Sequence, residues 1–206
     1  KLNVKLGFSH AGITVGEDGA THQCLEDLAI MRVIPGMTVI NPSDAVEAAA
    51  ALKYAIETDG PFYIRFGRYA VPVLHDPDTY TFEPGKGETL AEGGDLTIIA
   101  SGMMVKAAMD AAATLQETRG ISVRVVNIHT IKPLDTELVL KAAQETGAIV
   151  TAEEHSVIGG LGGAVAECVA EVCPVPVLRV GVEDKYGRSG KVPELLELYG
   201  LTSKNI

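Results

Sequence analysis

His10, Glu17, Asp18 and His22 share one short stretch, HAGITVGEDGATHQ, with Gly12, Gly16 and Gly19. Glycines let backbone come close to a ligand, and an ionised Asp18 accepts hydrogen bonds from hydroxyls. His22 can donate to an oxygen or move a proton near neutral pH. The set suits a polyhydroxylated ligand. Two other readings stay open on these residues alone: a solvated surface loop turning at Asp18 and Gly19, and a metal site, although carboxylates and imidazoles at this spacing match no compact ligand pattern. Arg65 and Arg68 close the segment FYIRFGR. At the end of a strand in a parallel sheet they would emerge near the His10 loop, where their fork-shaped donors could hold a phosphate. Otherwise they are exposed arginines paired with surface acids.

Two further features invite chemistry and carry less. The glycines of GGLGGAVAECV, from Gly159, do not follow GxGxxG, and Glu153 and Glu154 just upstream would repel a diphosphate. A tight helix entry is expected there, with His155 a satisfied polar group at the turn. Cys24 beside His22 reads as a small buried hydrophobe rather than a thiol nucleophile.

The elements that must position these groups follow from periodicity and breakers. Residues 2–8 alternate as a strand, and a helix is expected over about residues 22–33 with Thr21 as its N-cap. Pro35 and Gly36 end it, MTVINP reads as a buried strand, and Ser43 and Asp44 cap a helix to about Thr58. FYIRFGR is the next strand. Three strands and two helices are too few to cover both faces of a parallel sheet, so the first domain is expected to lack its beginning. Residues 71–95 are rich in Pro, Gly and acids and read as a linker. LTIIA, SVRVVNI, AIVTA and VPVLRV then alternate with helices over about residues 103–118, 136–146 and 163–172, and a short helix is expected near residues 193–199. The expected fold is α/β, with two domains based on parallel sheets: 1–72, a linker over 73–94, and 95–206.

Composition bounds the function. The 206 residues are 47% hydrophobic and 21% charged, ordinary for a globular chain. A net charge of -10 argues against a broad nucleic-acid or anionic-membrane face, so any bound anion must be held by a few local groups. Cys24, Cys168 and Cys173 form no CxxC pair, which points away from a disulfide framework or zinc site and towards an intracellular, cytoplasmic protein. No apolar run approaches membrane-spanning length, and KLNVKLGFSH has neither signal-peptide anatomy nor an initiator Met, which suggests a fragment.

GITVGEDGATHQ followed by LEDLAIMRVIPGMTVINPSD closely resembles the pyrimidine-binding domain of transketolases, and the likeness continues through GPFYIRFGR, VVNIHTIKPLD and AEEHSVIGGLGGAVAE. The resemblance implies the distal part of a thiamine-diphosphate enzyme that moves a two-carbon ketol unit from a ketose phosphate to an aldose phosphate. By position it implies that His10 and Arg68 hold the substrate phosphate, Asp18 reads sugar hydroxyls, and His22 is the catalytic group at the donor's C1 hydroxyl and carbonyl. Arg65 remains a possible phosphate ligand, while Glu17 and Gly19 look like loop architecture. The second domain is implied to be structural and to make subunit contacts, with no catalytic residue. The family's carboxylate and aromatic residues for the aminopyrimidine lie upstream of the first residue given. The diphosphate and its Mg2+, or another divalent metal, belong to a separate domain. The implied partners are therefore an N-terminal, diphosphate-binding transketolase subunit or domain, a second copy of this chain and sugar phosphates, and the chain alone is expected to be inactive. The alternatives are a 1-deoxy-D-xylulose-5-phosphate synthase-like enzyme and a non-catalytic sugar-phosphate-binding or regulatory module.

Overall fold

The computed structural model describes residues 2–206; residue 1 of the expected first domain lies outside the described residues. The first sheet starts with β1 (Lys5–Phe8), β2 (Thr38–Ile40) and β3 (Phe62–Arg65), ordered β1-β3-β2 and all parallel. Its crossovers carry α1 (Asp27–Arg32) and α2 (Ala45–Glu57). Asp44, in an extended conformation, starts α2 by accepting a hydrogen bond from Glu47 N at 2.8 Å. The twofold alternation of a strand then divides β3 between two faces. Phe62 and Ile64 pack with Ala51 and Ala55 of α2, which leaves Tyr63 and Arg65 on the opposite face.

The second sheet has the order β4-β6-β5-β8-β9, from β4 (Glu88–Ala91), β5 (Leu96–Ala100), β6 (Val123–Asn127), β8 (Ile149–Ser156) and β9 (Val177–Val182). All its pairings are parallel except β4 with β6. The helices are α3 (Met104–Arg119), α4 (Thr136–Thr146), α5 (Leu161–Val172) and α6 (Val192–Leu198). Along β5 the apolar residues alternate between two cores. Ile98 and Ala100 meet Met104, Val105 and Ala108 of α3, whereas Ile99 meets Val139 of α4 and Leu161 and Val165 of α5. Leu28, Val39 and Tyr63 join that second core, so its buried side chains, each contributing about 1.5–3 kcal/mol, bind both halves of the chain together.

Three elements differ from the sequence reading, two of them where the halves meet. A fourth strand of the first sheet, β7 (Thr130–Lys132), comes from the second half and pairs antiparallel with β2. The stretch read as linker contains β4, which edges the second sheet. Helix α1 starts at Asp27, because His22 and Gln23 turn back to Gly19 O and Cys24 pairs with Ala11 and Gly12. Thr21 therefore caps nothing; its hydroxyl lies 3.0 Å from His22 Nδ1. No helix among the described residues is long and apolar enough to cross a membrane.

The segment before β4 is fastened by charge. Asp44 Oδ2 accepts from Leu74 N at 2.6 Å, from His75 N at 2.9 Å and from the His75 ring at 2.9 Å, while the other ring nitrogen reaches Glu88 Oε2 at 3.0 Å. Burial opposes ionisation of Asp44, but these donors and Glu47 N prevail and lower its pKa. Burial likewise opposes a charged His75, yet the bond to Asp44 and the charges of Glu47, Asp44 and Glu88 raise its pKa. The Asp44 contribution is present above its ordinary value of 3.8 and is lost as pH falls through its lower folded value. The His75 contribution is complete below 6.5 and is lost as pH rises through its higher folded value. Urea midpoints measured between about pH 5 and pH 9 should therefore decline on the alkaline side, and His75→Gln should flatten that decline. An unchanged profile in the variant would contradict the clip.

Candidate functional site

The register Phe8↔Arg65 sends the chain out of β1 and β3 at the same end of the sheet, where parallel α/β folds carry their sites. Two hydrogen bonds continue the pairing into the loops: Phe66 N to Phe8 O at 2.8 Å and Ala11 N to Phe66 O at 3.2 Å. The loop after β1 then closes on itself. Gly12 N donates to Cys24 O at 2.8 Å, Ile13–Asp18 form a kinked 3-10 turn, and Gln23 Nε2 donates to Ile13 O at 3.0 Å. His10 and His22 flank the closure and are exposed, as is Asp18 at the end of the turn. His10 has a positive φ of 67°, and its Nδ1 sits 2.9 Å from Ser9 Oγ.

Arg68 reaches this loop from the end of β3. Its Nη1 donates to Val15 O at 3.0 Å and to Asp18 Oδ2, and both side chains remain half exposed. The structure thus brings Arg68 and Asp18 together on the open surface, beside a loop that carries both histidines. It does not bring Arg65 to them. Arg65 is 3% exposed and is clamped to Asp27 by Nε to Oδ2 at 2.7 Å and Nη2 to Oδ1 at 3.1 Å. The same guanidinium donates to Glu154 O at 3.0 Å and Cys24 O at 3.3 Å, and Tyr63 OH donates to Asp27 Oδ2 at 2.6 Å. Burial works against the Asp27 carboxylate, but the Arg65 charge and these hydrogen bonds hold its pKa below the usual range. Arg65 is therefore a buried structural cation, and the phosphate role considered for it is withdrawn.

The second half does more at this loop than brace it from a distance. Glu154, buried in β8, accepts Thr14 N at 2.8 Å through Oε1. Gly12, at φ 78°, admits that carboxylate so closely that a Cβ there would lie 2.1 Å from Oε1. Burial pushes the Glu154 pKa up, opposed by Arg65 and the Thr14 amide. Glu153 accepts Leu161 N and Gly162 N at 2.7 and 2.8 Å, which starts α5 earlier than expected and confirms the tight helix entry. Burial nevertheless pushes its pKa up to about 7. His155 is satisfied at the end of β8: Nδ1 lies 2.7 Å from Ser156 O, and Nε2 accepts from Ala29 N at 3.4 Å. Burial and the nearby Arg65 charge hold it neutral, with a pKa of about 4. The segment between β9 and α6 also seals the loop, through Gln23 Nε2 to Arg188 O at 3.0 Å and Ser189 Oγ to Glu17 O. Sequence reasoning missed this segment, since nothing local to it signals a distant loop.

A cleft of about 360 Å3 lies beneath the loop, lined by Thr14, Asn41, Ser43, Arg65 and Glu154, among others. His10, Asp18, His22 and Arg68 are not part of its wall. Chemically, the exposed quartet can accept sugar hydroxyls, donate to oxygens and hold an oxyanion. The described residues contain no group of three or more His, Cys, Asp or Glu that could hold a metal ion. The buried carboxylates of Glu153 and Glu154 are occupied by backbone amides, so the described residues do not fit a diphosphate and its metal.

This arrangement defines an α/β chain with two mainly parallel sheets, whose polar site is carried on the loop after the first strand and backed by the second sheet. Residues 85–206 match the family described as Transketolase, C-terminal domain, and residues 1–73 match Transketolase, pyrimidine binding domain; the chain belongs to the transketolase family. It is 50% identical over 206 residues to the 6-deoxy-6-sulfo-D-fructose transketolase subunit of Clostridium sp. strain MSTE9, covering 100% of this chain and 63% of that protein. It is 44% identical over 205 residues to a 1-deoxy-D-xylulose-5-phosphate synthase of Heliobacterium modesticaldum, covering 98% of this chain and 31% of that protein. A solved structure titled as a split-gene transketolase, inactive beta4 tetramer, superposes with a TM-score of 0.90 at 51% identity, over 100% of this chain and 64% of that one. The chain thus spans less than two-thirds of the length of these proteins. Membership of the family implies thiamine diphosphate as cofactor.

Removing one partner of the buried pair should be severe. Arg65→Met strands the Asp27 carboxylate and should lower unfolding free energy by about 3–5 kcal/mol, measured by denaturant titration. Adding Asp27→Leu should recover much of that loss, because the uncompensated charge is then gone. No recovery would show that Arg65 stabilises the fold chiefly through Glu154 O and Cys24 O.

Proposed function

We propose that this chain is the substrate-binding component of a transketolase that moves a two-carbon ketol unit from a ketose phosphate to an aldose phosphate. The observation that carries the reading is the closed loop after β1, which presents His10, Asp18 and His22 beside Arg68 on an open surface. An open site suits completion by a partner. Thiamine diphosphate supplies the nucleophilic carbon of this chemistry. We assign it, with Mg2+, to an N-terminal, diphosphate-binding subunit or domain, and the assembly to a homo-oligomer of such pairs. In this division residues 1–72 carry the substrate loop and residues 95–206 back it. Unpaired Cys24, Cys168 and Cys173 suit a reducing, cytoplasmic setting.

Within this reading His22 is the catalytic residue. Its Nδ1 is steadied by Thr21 Oγ1 at 3.0 Å, leaving Nε2 to donate to, or exchange a proton with, the oxygens at the donor's C1 and carbonyl. Asp18 accepts hydroxyls of the sugar, and His10 and Arg68 hold its phosphate. Arg68 meets the phosphate while still beside Asp18, which orders the guanidinium before substrate arrives. The 44% identity to a synthase favours one rival, an enzyme using pyruvate as the two-carbon source. A non-catalytic sugar-phosphate module is a further rival.

Two-carbon transfer to an aldose phosphate should be assayed with the chain copurified with its partner and supplied with thiamine diphosphate and Mg2+, comparing a ketose phosphate with pyruvate as the two-carbon donor. His22→Ala should lower kcat by about 100-fold or more through lost hydrogen bonding and proton transfer. Arg68→Ala should raise KM for phosphorylated sugars by about 10-fold with kcat little changed, since the phosphate is remote from the breaking bond. Unchanged turnover in His22→Ala would remove its catalytic assignment, and transfer only with pyruvate would replace the transketolase reading by the synthase.

A further inference from the structure

The cleft beneath the loop after β1 has a charged wall whose hydrogen-bonding capacity is not filled. It lies where β2 and β3 end, and the other half of the chain closes it with Met103 and Glu154. Glu154, 4% exposed, accepts Thr14 N at 2.8 Å through Oε1, and among the described residues Oε2 accepts no hydrogen bond. The Thr14 hydroxyl, on the same wall, is buried without a hydrogen-bond partner among the described residues. Unpaired buried polar atoms are costly, so they mark a place where a further partner is expected. Two neighbouring carboxylates are compensated: Asp27 by Arg65, and Asp44 by Leu74 N, His75 N and the His75 ring. Glu154 is not. Arg65 bonds only its carbonyl, at 3.0 Å, and among the described residues no cation pairs with its carboxylate within 4.0 Å. Burial accordingly raises its pKa.

The rest of the wall limits what can enter. Ala48, Phe66 and Met103 make it apolar, and Tyr69, 43% exposed, adds an aromatic surface. A volume of about 360 Å3 falls within the roughly 300–1,000 Å3 of small-molecule sites. The N-terminus of α2 also faces the cleft, but Asp44 caps it and offsets its positive end. An anion would meet Glu154 and Asp44, and a wholly apolar molecule would leave Glu154 unpaired. We propose that the cleft binds a small primary amine in its ammonium form, with an aromatic or branched apolar body. The ammonium donates to Glu154 Oε2 and Thr14 Oγ1 by charge-assisted and ordinary hydrogen bonds, while the body packs against Phe66 and Met103. It would share Glu154 with Thr14 N, the contact that ties the turn leading to Asp18 to β8. Such binding requires no particular reaction at the loop.

The test is calorimetric titration of 2-phenylethylamine, 2-phenylethanol and phenylacetate, which share a body and differ in charge, into the chain copurified with its partner. The amine should bind at least about 10-fold more tightly than the alcohol, and the acid should not bind. Glu154→Gln, which keeps an acceptor without the charge, should weaken the amine by about 10- to 100-fold and bring it level with the alcohol. Thr14→Val should weaken it by about 3- to 10-fold, the loss of one neutral hydrogen bond. Ala48→Leu fills the cleft from α2 without touching either polar group, and should abolish binding of both amine and alcohol. Denaturant midpoints will show whether each variant is folded; if Glu154→Gln is not, Ala48→Leu and the ranking of the three probes decide. Equal binding of all three probes overturns the proposal, because it marks partition onto apolar surface alone. Amine binding that survives Ala48→Leu overturns it by placing the amine elsewhere. Absence of amine binding overturns it too, leaving a cleft that holds only water or is covered by the partner.

Discussion

The buried ion pair of Arg65 with Asp27 is the contact on which the rest of the site depends. A guanidinium and a carboxylate withdrawn from water persist only when almost every donor and acceptor is used. Here the pair recruits Tyr63 OH, Cys24 O and Glu154 O, and so gathers β3, the end of the loop, α1 and β8 at one point. Glu154, whose carbonyl accepts from Arg65, offers its carboxylate to Thr14 N on the other side. The loop after β1 is therefore held from below by a charge network that crosses both halves of the chain. Its glycines are needed because a carboxylate must come close to backbone, as at Gly12.

A second polar network repeats the principle on the far face of the first sheet. Glu47, fully buried in α2, accepts from Ser43 N and Oγ, from Tyr80 OH at 2.7 Å and from Asn127 Nδ2 at 2.9 Å. Tyr80 belongs to the connecting segment and Asn127 to β6, so this carboxylate also joins parts that the sequence presents as separate. Together with β7 in the first sheet, these networks make the two halves one packed body with a shared core. A loop mounted across such a junction is held at several points without being buried.

What the sequence made legible was local. Strand alternation in FYIR, the Asp44 cap and the helical period of residues 136–146 are set by neighbours a few residues away, and the structure has them at those places. The meeting of Arg68 with the loop was also legible, because parallel strands that neighbour each other release their ends on one side. Arg65 illustrates what was not. Three residues from Arg68 and of the same type, it lies inside because period-two alternation puts it with Tyr63 on the core face, and no local signal tells that Asp27 awaits it there. Glu153 and Glu154 read as repulsive charges when each was in fact an acceptor for backbone amides, of α5 and of the loop. Long-range pairing of buried charges leaves no period in a sequence.

The same distinction between buried and exposed charge decides how an acidic chain can bind an anion. Inside, Arg65 is committed, and removing it from Asp27 would cost several kcal/mol, so no ligand can borrow it. Outside, the pair of Arg68 with Asp18 lies at half-exposed side chains, where such pairs contribute roughly 0–1 kcal/mol. In the function proposed for the loop, a sugar would exchange places with water around both groups at little cost, its hydroxyls taking Asp18 and its oxyanion sharing Arg68. The weak surface pair orders Arg68 and Asp18, and the buried pair fixes the loop that carries one of them.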